Sequence, residues 1–223
     1  MPFPLATVLR KVAAEVTRRP TPVVDLIAVQ SHDPYRILVA TILSARTKDA
    51  TTAAAAGRLF ARAPDLAALA CLGEDEIAGL IHPVGFFRSK ARHLTALPAA
   101  LAAFGGRIPD DLDALVSLPG VGRKTANLVL ALAFGKPAIC VDTHVHRIMN
   151  LWGYVATRTP LDTEMALRAT LPRRYWLTIN SLLVAFGQGV CRPVGPLCGE
   201  CPIETVCPKI GVRVSSNRAR NAP

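Results

Sequence analysis

Four of the six cysteines lie in one short run near the C-terminal end of the chain. Cys191, Cys198, Cys201 and Cys207 form a C-x6-C-x2-C-x5-C pattern within 17 residues. Pro and Gly interrupt the segment between the first two, so four thiolates on this loop can wrap one metal centre. All-cysteine ligation is typical of structural zinc and of iron–sulfur clusters. Because zinc sites usually pair two C-x2–4-C hooks and only one hook is present here, the pattern favours a [4Fe–4S] cluster.

Two disulfides are the alternative interpretation of this run. Disulfide scaffolds belong mostly to small secreted domains, and residues 1–24 carry scattered basic residues without the apolar core of a signal peptide. We therefore expect a reducing, intracellular compartment. The other two cysteines, Cys71 and Cys140, stand among apolar residues and are predicted to be buried thiols.

Apolar residues recur with helical spacing along almost the whole chain, and only residues 138–141 alternate as a strand would. The sequence therefore predicts an all-α fold, with Asp49 and Ser89 as helix N-caps. Residues 124–134 are apolar nearly all round, which is typical of a helix buried on every side. No apolar run approaches the roughly 20 residues of a membrane span. The predicted helices are residues 5–16, 34–45, 49–63, 65–71, 74–81, 89–104, 111–115, 124–134, 146–152, 162–171 and 175–188.

The chain carries a formal net charge of +10 at pH 7. Such an excess of positive charge favours nucleic acid as the partner, although basic globular proteins without polyanion partners also exist. Residues 209–223 contain several arginines and no apolar stripe, so we predict a basic, flexible tail. Weak DNA contact and simple solubility are both open roles for this tail.

A glycine turn, LPGVG at residues 118–122, lies between two predicted helices. Gly120 and Gly122 allow positive φ, and the N-terminus of the next helix adds free backbone N–H groups and the positive end of its dipole. These features predict an anion site suited to phosphate. A nucleotide P-loop is disfavoured, because Arg123 stands where that motif requires glycine and a helix precedes the turn.

Three motifs follow one another along the chain. They are LPGVGRKTAN at residues 118–127, VDTH at residues 141–144 and the four-cysteine run. Together they resemble the endonuclease III family of DNA glycosylases/AP lyases, and the similarity covers nearly everything except the tail. The resemblance implies a two-lobed helix-hairpin-helix fold, with a six-helix barrel and a lobe that holds a [4Fe–4S] cluster. The predicted domains are residues 27–136 for the barrel, residues 1–26 and 137–208 for the cluster domain, and residues 209–223 for the tail.

The resemblance also implies the chemistry. Lys124 corresponds to the family's nucleophile and Asp142 to its carboxylate, although Asp142 read alone is simply a helix N-cap. A lysine amine that attacks C1′ forms a Schiff base that permits β-elimination, while a carboxylate stabilises an oxocarbenium-like sugar. We therefore expect a bifunctional glycosylase/AP lyase that acts on oxidised pyrimidines and abasic sites in double-stranded DNA. A monomer suffices for this chemistry, and the bacterial cytoplasm, at the nucleoid, is the expected location.

Further residues match positions that contact DNA in the family. Arg46 and Phe86 correspond to residues that fill the gap left by an extruded nucleotide, and they replace the commonest bacterial Gln and Leu. Arg46 can hydrogen-bond an orphan guanine, and Phe86 either wedges by stacking or belongs to the core. Arg192 is the one cation between the first two cysteines, so either this loop binds phosphate weakly or Lys90, Arg92 and Lys209 compensate. The remaining predicted DNA contacts are Gly120, Gly122, Arg123, Thr125 and His144.

Two other functions stay open at this point. A monofunctional adenine glycosylase of the same superfamily lacks the hairpin lysine and places a glutamate on an early helix, whereas residues 39–42 contain no carboxylate. A non-catalytic helix-hairpin-helix module would use Lys124 only to pair with phosphate. Covalent trapping at an abasic site separates both from the lyase.

Overall fold

A computed structural model describes residues 3–212 of the chain, so residues 213–223 of the predicted tail lie outside the described part. Within that part all regular structure is helical, which confirms the predicted all-α class. Two short 3₁₀ helices lie at Arg173–Tyr175 and Cys198–Glu200. The α-helices are α1 (Leu5–Val16), α2 (Val23–Ser31), α3 (Pro34–Ser44), α4 (Asp49–Arg62), α5 (Leu66–Ala70), α6 (Glu74–Ile81), α7 (Phe87–Ala102), α8 (Leu112–Val116), α9 (Arg123–Phe134), α10 (Thr143–Leu151), α11 (Pro160–Thr170) and α12 (Ile179–Gly189).

Aspartate side chains begin several of these helices. Asp33, Asp65 and Asp111 each accept a hydrogen bond from a backbone N–H in the first turn that follows, which satisfies one of the free donors there. Asp49 and Ser89, by contrast, are not the N-caps that the sequence predicted. Asp49 is already the first residue of α4 and accepts from Val23 N at 3.2 Å.

The predicted cap at Ser89 was wrong because α7 begins earlier than the apolar pattern suggested. Phe86 precedes the helix in the left-handed conformation, with φ of 58°, and the helix starts at Phe87. Two more helices differ from the prediction. Helix α2 follows a segment that holds Pro20 and Pro22 and was not predicted, and the predicted helix at 175–188 is a 3₁₀ turn followed by α12.

The described chain divides into two compact units, one formed by Thr21–Cys140 with Arg173–Leu177 and the other by residues 3–20, 141–172 and 178–212. The sequence placed the first boundary at residue 27, which lies inside the unpredicted α2. In the structure the division falls in the proline-containing turn before that helix.

The unit that contains Thr21–Cys140 is built around α3. Seven consecutive residues of α3, from Ile37 to Leu43, are buried, so neighbouring helices enclose this helix on all sides. Helix α9 is also buried from Thr125 to Leu130, while its last turn is partly exposed. Burial of each large aliphatic side chain contributes roughly 1.5–3 kcal/mol, so these two helices form a rigid support for the loops at their ends.

The second unit packs α1 against α12. The stripe of Leu5, Val8, Leu9 and Val12 that predicted α1 is the buried face of that helix. Trp152 and Phe186 are among the largest fully buried side chains, and their rings lie 6.3 Å apart. No helix in residues 3–212 is both long and apolar enough to cross a membrane.

Candidate active site and metal-ligand loop

The glycine turn between α8 and α9 depends on Gly120. This residue has φ of 73°, and a Cβ built there would lie 2.6 Å from Nδ1 of His93 on α7. Both the left-handed backbone and the imidazole ring therefore exclude any other residue. Val121 is buried next to it and donates its N–H to Leu118 O at 3.1 Å. The tip of the turn is thus fixed against α7.

Gly122 is the N-cap of α9 and differs from Gly120. Its φ is −90°, its Cβ position is open, and it is exposed, so the positive φ allowed by the sequence occurs only at Gly120. No side-chain cap is present at the start of α9, and the positive end of the helix dipole there favours an anion. Arg123 is half-buried and Thr125 is buried.

Lys124 is the second residue of α9 and is exposed. Within the described chain its ammonium has no hydrogen-bond or ion-pair partner, whereas its backbone carbonyl accepts from the Cys140 thiol at 3.5 Å. Cys140 is buried, as the sequence predicted, while Cys71 is exposed and that prediction was wrong. Cys71 follows the last residue of the short helix α5 and does not reach its inner face.

Asp142 is the N-cap of α10. Its Oδ1 accepts from the N–H groups of His144 and Val145, both at 2.9 Å, and Oδ2 takes neither bond. The cap fixes the orientation of the half-buried carboxylate and leaves one oxygen for another partner. The predicted N-cap is therefore present, and it is compatible with a second role.

His144 follows on the same helix and is half-buried. Its ring lies directly against Gly187 of α12, where a Cβ would collide with Nδ1. A glycine at this position therefore leaves room for the imidazole against α12.

Arg46 and Phe86 lie on two neighbouring segments, residues 44–48 and 85–87, hereafter the loop pair. Both residues adopt left-handed backbones, with φ of 53° and 58°, which costs on the order of 1 kcal/mol each for a non-glycine residue. The Arg46 guanidinium lies 5.5 Å from the centre of the Phe86 ring. Phe86 is 64% exposed, so the alternative that it belongs to the core is wrong. Such strain at an exposed pair is typical of functional loops.

Lys90 is buried, so it does not supply the compensating phosphate contact. Only 6% of this residue is exposed, and its ammonium donates to the backbone carbonyls of Leu43 and Ala45. The pattern contained a signal for this position, since Lys90 shares one helical face with Leu94, Leu97 and Leu101, all of them buried. The other two cations proposed to compensate for the single charge of Arg192 lie at the surface in ion pairs. Arg92 pairs with Glu74, and Lys209 pairs with Glu204.

The four cysteines of the C-terminal run line one recess together with Trp152 and Phe186. All six cysteines of the chain are free thiols. Burial raises the pKa of Cys201 to about 11 and also raises the pKa values of Cys191 and Cys207. The Arg147 guanidinium, 3.6 Å from the Cys191 sulfur, opposes that rise at Cys191.

The donor set of this recess can be tested against the two candidate metal centres. Among residues 3–212, no three metal-ligating side chains converge closely enough for one ion. A tetrahedral zinc site with Zn–S bonds of 2.3 Å needs sulfurs about 3.8 Å apart. A cluster takes one thiolate at each iron corner, and four cysteines that line one recess supply the donor set for it.

The segment between the first two cysteines is open to solvent. Arg192 is exposed and donates to Gly195 O at 3.0 Å, which folds its side chain over its own turn. Val194 at the tip is 87% exposed. The predicted cation is therefore accessible, on a turn stabilised by its own guanidinium.

Known proteins of similar sequence and fold place this arrangement in a family. Residues 39–173 match the HhH-GPD superfamily base excision DNA repair proteins. Endonuclease III of Thermotoga maritima is 46% identical over 176 residues, covering 78% of this chain and 83% of that protein. Endonuclease III-like protein 1 of Bos taurus is 43% identical, and the matched region covers 78% of this chain and 58% of the bovine protein.

Solved structures agree with the sequence relatives. A trapped endonuclease III–DNA covalent intermediate superimposes with a TM-score of 0.82 at 32% identity, covering 92% of this chain and 94% of that chain. A thermostable thymine-DNA glycosylase gives a TM-score of 0.76 at 27% identity, covering 92% and 93%. These matches confirm the resemblance and the helix-hairpin-helix fold. The chain therefore belongs to the HhH-GPD superfamily and is a base excision repair DNA glycosylase of the endonuclease III type.

Proposed function

We propose that this enzyme removes oxidised pyrimidines from double-stranded DNA and then cleaves the strand at the resulting abasic site through a Schiff base on Lys124. The observation that carries the proposal is the placement of this lysine. Lys124 is exposed on the first turn of α9, directly after a glycine turn and at a helix start that no side chain caps. An amine beside an anion site is suited to attack a sugar whose phosphates are bound there.

The proposed reaction has two stages at the same carbon. The neutral Lys124 amine attacks C1′, the N-glycosidic bond breaks, and the base departs with the bonding electrons and takes up a proton. Ring opening gives an iminium ion between the lysine nitrogen and C1′. Loss of a C2′ proton then expels the 3′ phosphate by β-elimination, and water releases the lysine from the sugar fragment.

Asp142 is the proposed carboxylate of the first stage. Positive charge develops on the sugar as the glycosidic bond lengthens, and a fixed carboxylate lowers the energy of that state. The two backbone bonds to Oδ1 hold the group in one orientation without rotation at the moment of reaction. The Oδ2 atom, which takes neither bond, is the proposed partner of the sugar.

The glycine turn and the net charge of +10 support phosphate binding. In this proposal the backbone of the turn grips one phosphate on the strand that carries the lesion, and the cationic side chains steer the duplex. Arg192 on the cysteine loop supplies a second, separate phosphate contact. The residues proposed to contact phosphate or groove are Gly120, Gly122, Arg123, Thr125, His144 and Arg192.

The loop pair is proposed to occupy the gap when the damaged nucleotide leaves the stack. Phe86 is exposed and aromatic, so it can stack on a neighbouring base. Arg46 carries donors that match the O6 and N7 acceptors of guanine. We therefore propose that lesions opposite guanine are the preferred substrates.

The four cysteines of the recess would hold a [4Fe–4S] cluster. The cluster would supply structural order for the loop that carries Arg192, and it has no part in bond breaking because every thiolate serves as a ligand. We expect freshly purified protein to absorb near 400 nm and to contain about four irons per chain. Zinc without iron would overturn this assignment. The proposed setting is a monomer in the bacterial cytoplasm at the nucleoid.

Borohydride trapping on a duplex with one abasic site tests the central step. The wild-type protein should become covalently attached to the DNA, because borohydride reduces the iminium ion to a stable amine. Lys124→Ala should give no adduct, whereas Lys11→Ala, which removes an exposed lysine on α1, should trap as well as the wild type. Trapping by Lys124→Ala at the wild-type level would contradict the proposal.

A further inference from the structure

A buried lysine on α7 closes the end of a neighbouring helix. The ammonium of Lys90 lies 2.8 Å from Leu43 O and 2.6 Å from Ala45 O, at the C-terminal end of α3. Carbonyls at a helix end have no donor within their own helix. They also mark the negative end of its dipole, where a positive charge is favourable. Lys90 therefore serves as a C-terminal cap that α3 receives from another helix.

The same ammonium extends its contacts into both members of the loop pair through one hydroxyl group. Thr47 Oγ1 accepts from Lys90 Nζ at 3.3 Å and from Gly85 N at 3.1 Å, and donates to Ala45 O at 3.3 Å. The Gly85 backbone lies so close to the Arg46 carbonyl that a Cβ there would be 2.6 Å from the oxygen. Residues 44–48 and 85–87 therefore form one hydrogen-bonded assembly around a buried charge.

This assembly determines how Arg46 and Phe86 are presented. Each residue stands next to an atom of the network, and each holds a left-handed backbone that an isolated loop would leave. We infer that Lys90 is a positioning residue, whose ammonium holds the loop pair in the conformation that inserts into damaged DNA. The inference rests on the proposed role of that pair in nucleotide extrusion.

The role is distinct from direct contact with the substrate. Lys90 is 6% exposed and its donors are directed at carbonyl oxygens, so it neither grips phosphate nor competes with Lys124 as a nucleophile. Its removal should therefore impair the step that needs insertion and spare the step that needs only the Lys124 amine. A residue that merely stabilises the fold would affect both steps alike.

Two substrates separate these steps for Lys90→Met, which keeps the length of the side chain and removes its charge. On a duplex with thymine glycol opposite guanine, we expect the single-turnover excision rate to fall roughly tenfold to a hundredfold, because a displaced insertion loop misaligns the sugar. On a single-stranded abasic oligonucleotide no base pair must open, and borohydride trapping should stay within about twofold of the wild type. Lys11→Met is the matched control.

A fluorescence measurement reports insertion without relying on turnover. A duplex with 2-aminopurine opposite a tetrahydrofuran abasic analogue should change its emission when wild-type protein fills the gap, and this change should be largely lost in Lys90→Met. Thr47→Val, which removes only the shared hydroxyl, should show a smaller loss of the same kind. If Lys90→Met does not fold, the emission change of Thr47→Val tests the positioning role instead.

Three results would separate the possible failures. Equal loss on both substrates would make Lys90 a purely structural residue, and wild-type emission in both variants would overturn the inference outright. If wild-type protein changes the emission but excises no thymine glycol, the proposed lesion class fails while the positioning role stands.

Discussion

The glycine turn before α9 and the loop pair are both proposed to meet DNA, yet they are held in place by different means. The turn takes its conformation from its own backbone, with Gly120 in the left-handed region and an uncapped helix end after it, and the His93 ring on α7 packs against its tip. The loop pair is held by hydrogen bonds from the buried ammonium of Lys90, which belongs to a third segment. A site of the first kind can be found in a short stretch of sequence, whereas a site of the second kind requires the fold.

The largest expected difference lies between the two lysines of these regions. Lys124→Ala should lower strand cleavage at abasic sites by at least roughly a thousandfold, because no other group forms the Schiff base. The loss should be the same on single-stranded and on duplex DNA, unlike the selective loss expected for Lys90→Met. Gel assays of cleavage on both substrates provide the measurement. Residual cleavage by Lys124→Ala that borohydride still traps would point to another amine.

The two glycines of the turn provide the next test. Gly120→Ala forces a Cβ into the left-handed region and onto the His93 ring, so we expect a loss of about 2–4 kcal/mol in the free energy of unfolding. Gly122→Ala meets open space at a negative φ and should cost about 0.5 kcal/mol as a poorer N-cap. Urea unfolding of both variants measures the contrast. Equal losses would mean that the turn is not fixed by His93.

The burial of Lys90 should make the free energy of unfolding depend on pH. Burial lowers the pKa of this lysine to about 8 from 10.5 in the unfolded chain, although the two carbonyls favour the charged form and oppose the shift. Between these two values the unfolded chain binds more protons than the folded protein, so stability should rise as the pH rises through that window. The gain relative to Lys90→Met should lie between about 1 and 3 kcal/mol.

Urea unfolding of the wild type and of Lys90→Met at pH 7.5 and pH 10 checks this expectation, with Lys11→Met as the control for general effects of pH. A constant difference between wild type and Lys90→Met would show that the carbonyl bonds fully offset the desolvation of the ammonium. The capping role would then be even stronger than burial alone suggests.

The sequence was most informative where structure depends on neighbours along the chain. The amphipathic stripes gave α1 and α6 with the bounds that the structure shows, and Asp142 caps α10 as its position suggested. The glycine-turn motif, VDTH and the four-cysteine run together likewise sufficed for the family, because each is a short stretch of consecutive residues. These features need no knowledge of the rest of the fold.

Other features depend on partners far away in the sequence. Helix α2 was not predicted. Its first residue, Val23, donates to Asp49, and that contact spans 26 residues of the sequence. The acceptors of Lys90 lie 45 and 47 residues earlier in the chain, so a lysine on an apolar face could not be assigned a partner. Phe86 holds a left-handed backbone before α7, and its neighbour Gly85 donates to Thr47, 38 residues earlier in the chain.

The smallest expected effect concerns the tip of the loop pair. Arg46 and Phe86 interact over 5.5 Å, and an exposed cation–π contact contributes about 0.5–1 kcal/mol. Arg46→Gln should therefore leave the free energy of unfolding almost unchanged while it reduces the preference for guanine opposite the lesion about threefold to tenfold, since Gln lacks the fork that matches guanine O6 and N7.

Phe86→Leu should instead slow excision by a similar factor opposite every base, because stacking does not discriminate among bases. A panel of thymine glycol duplexes with each of the four opposing bases distinguishes the two outcomes. If Arg46→Gln changed all four rates equally, Arg46 would act through the cation–π contact with Phe86, and the loop pair would function as one wedge without a separate reader of the opposite base.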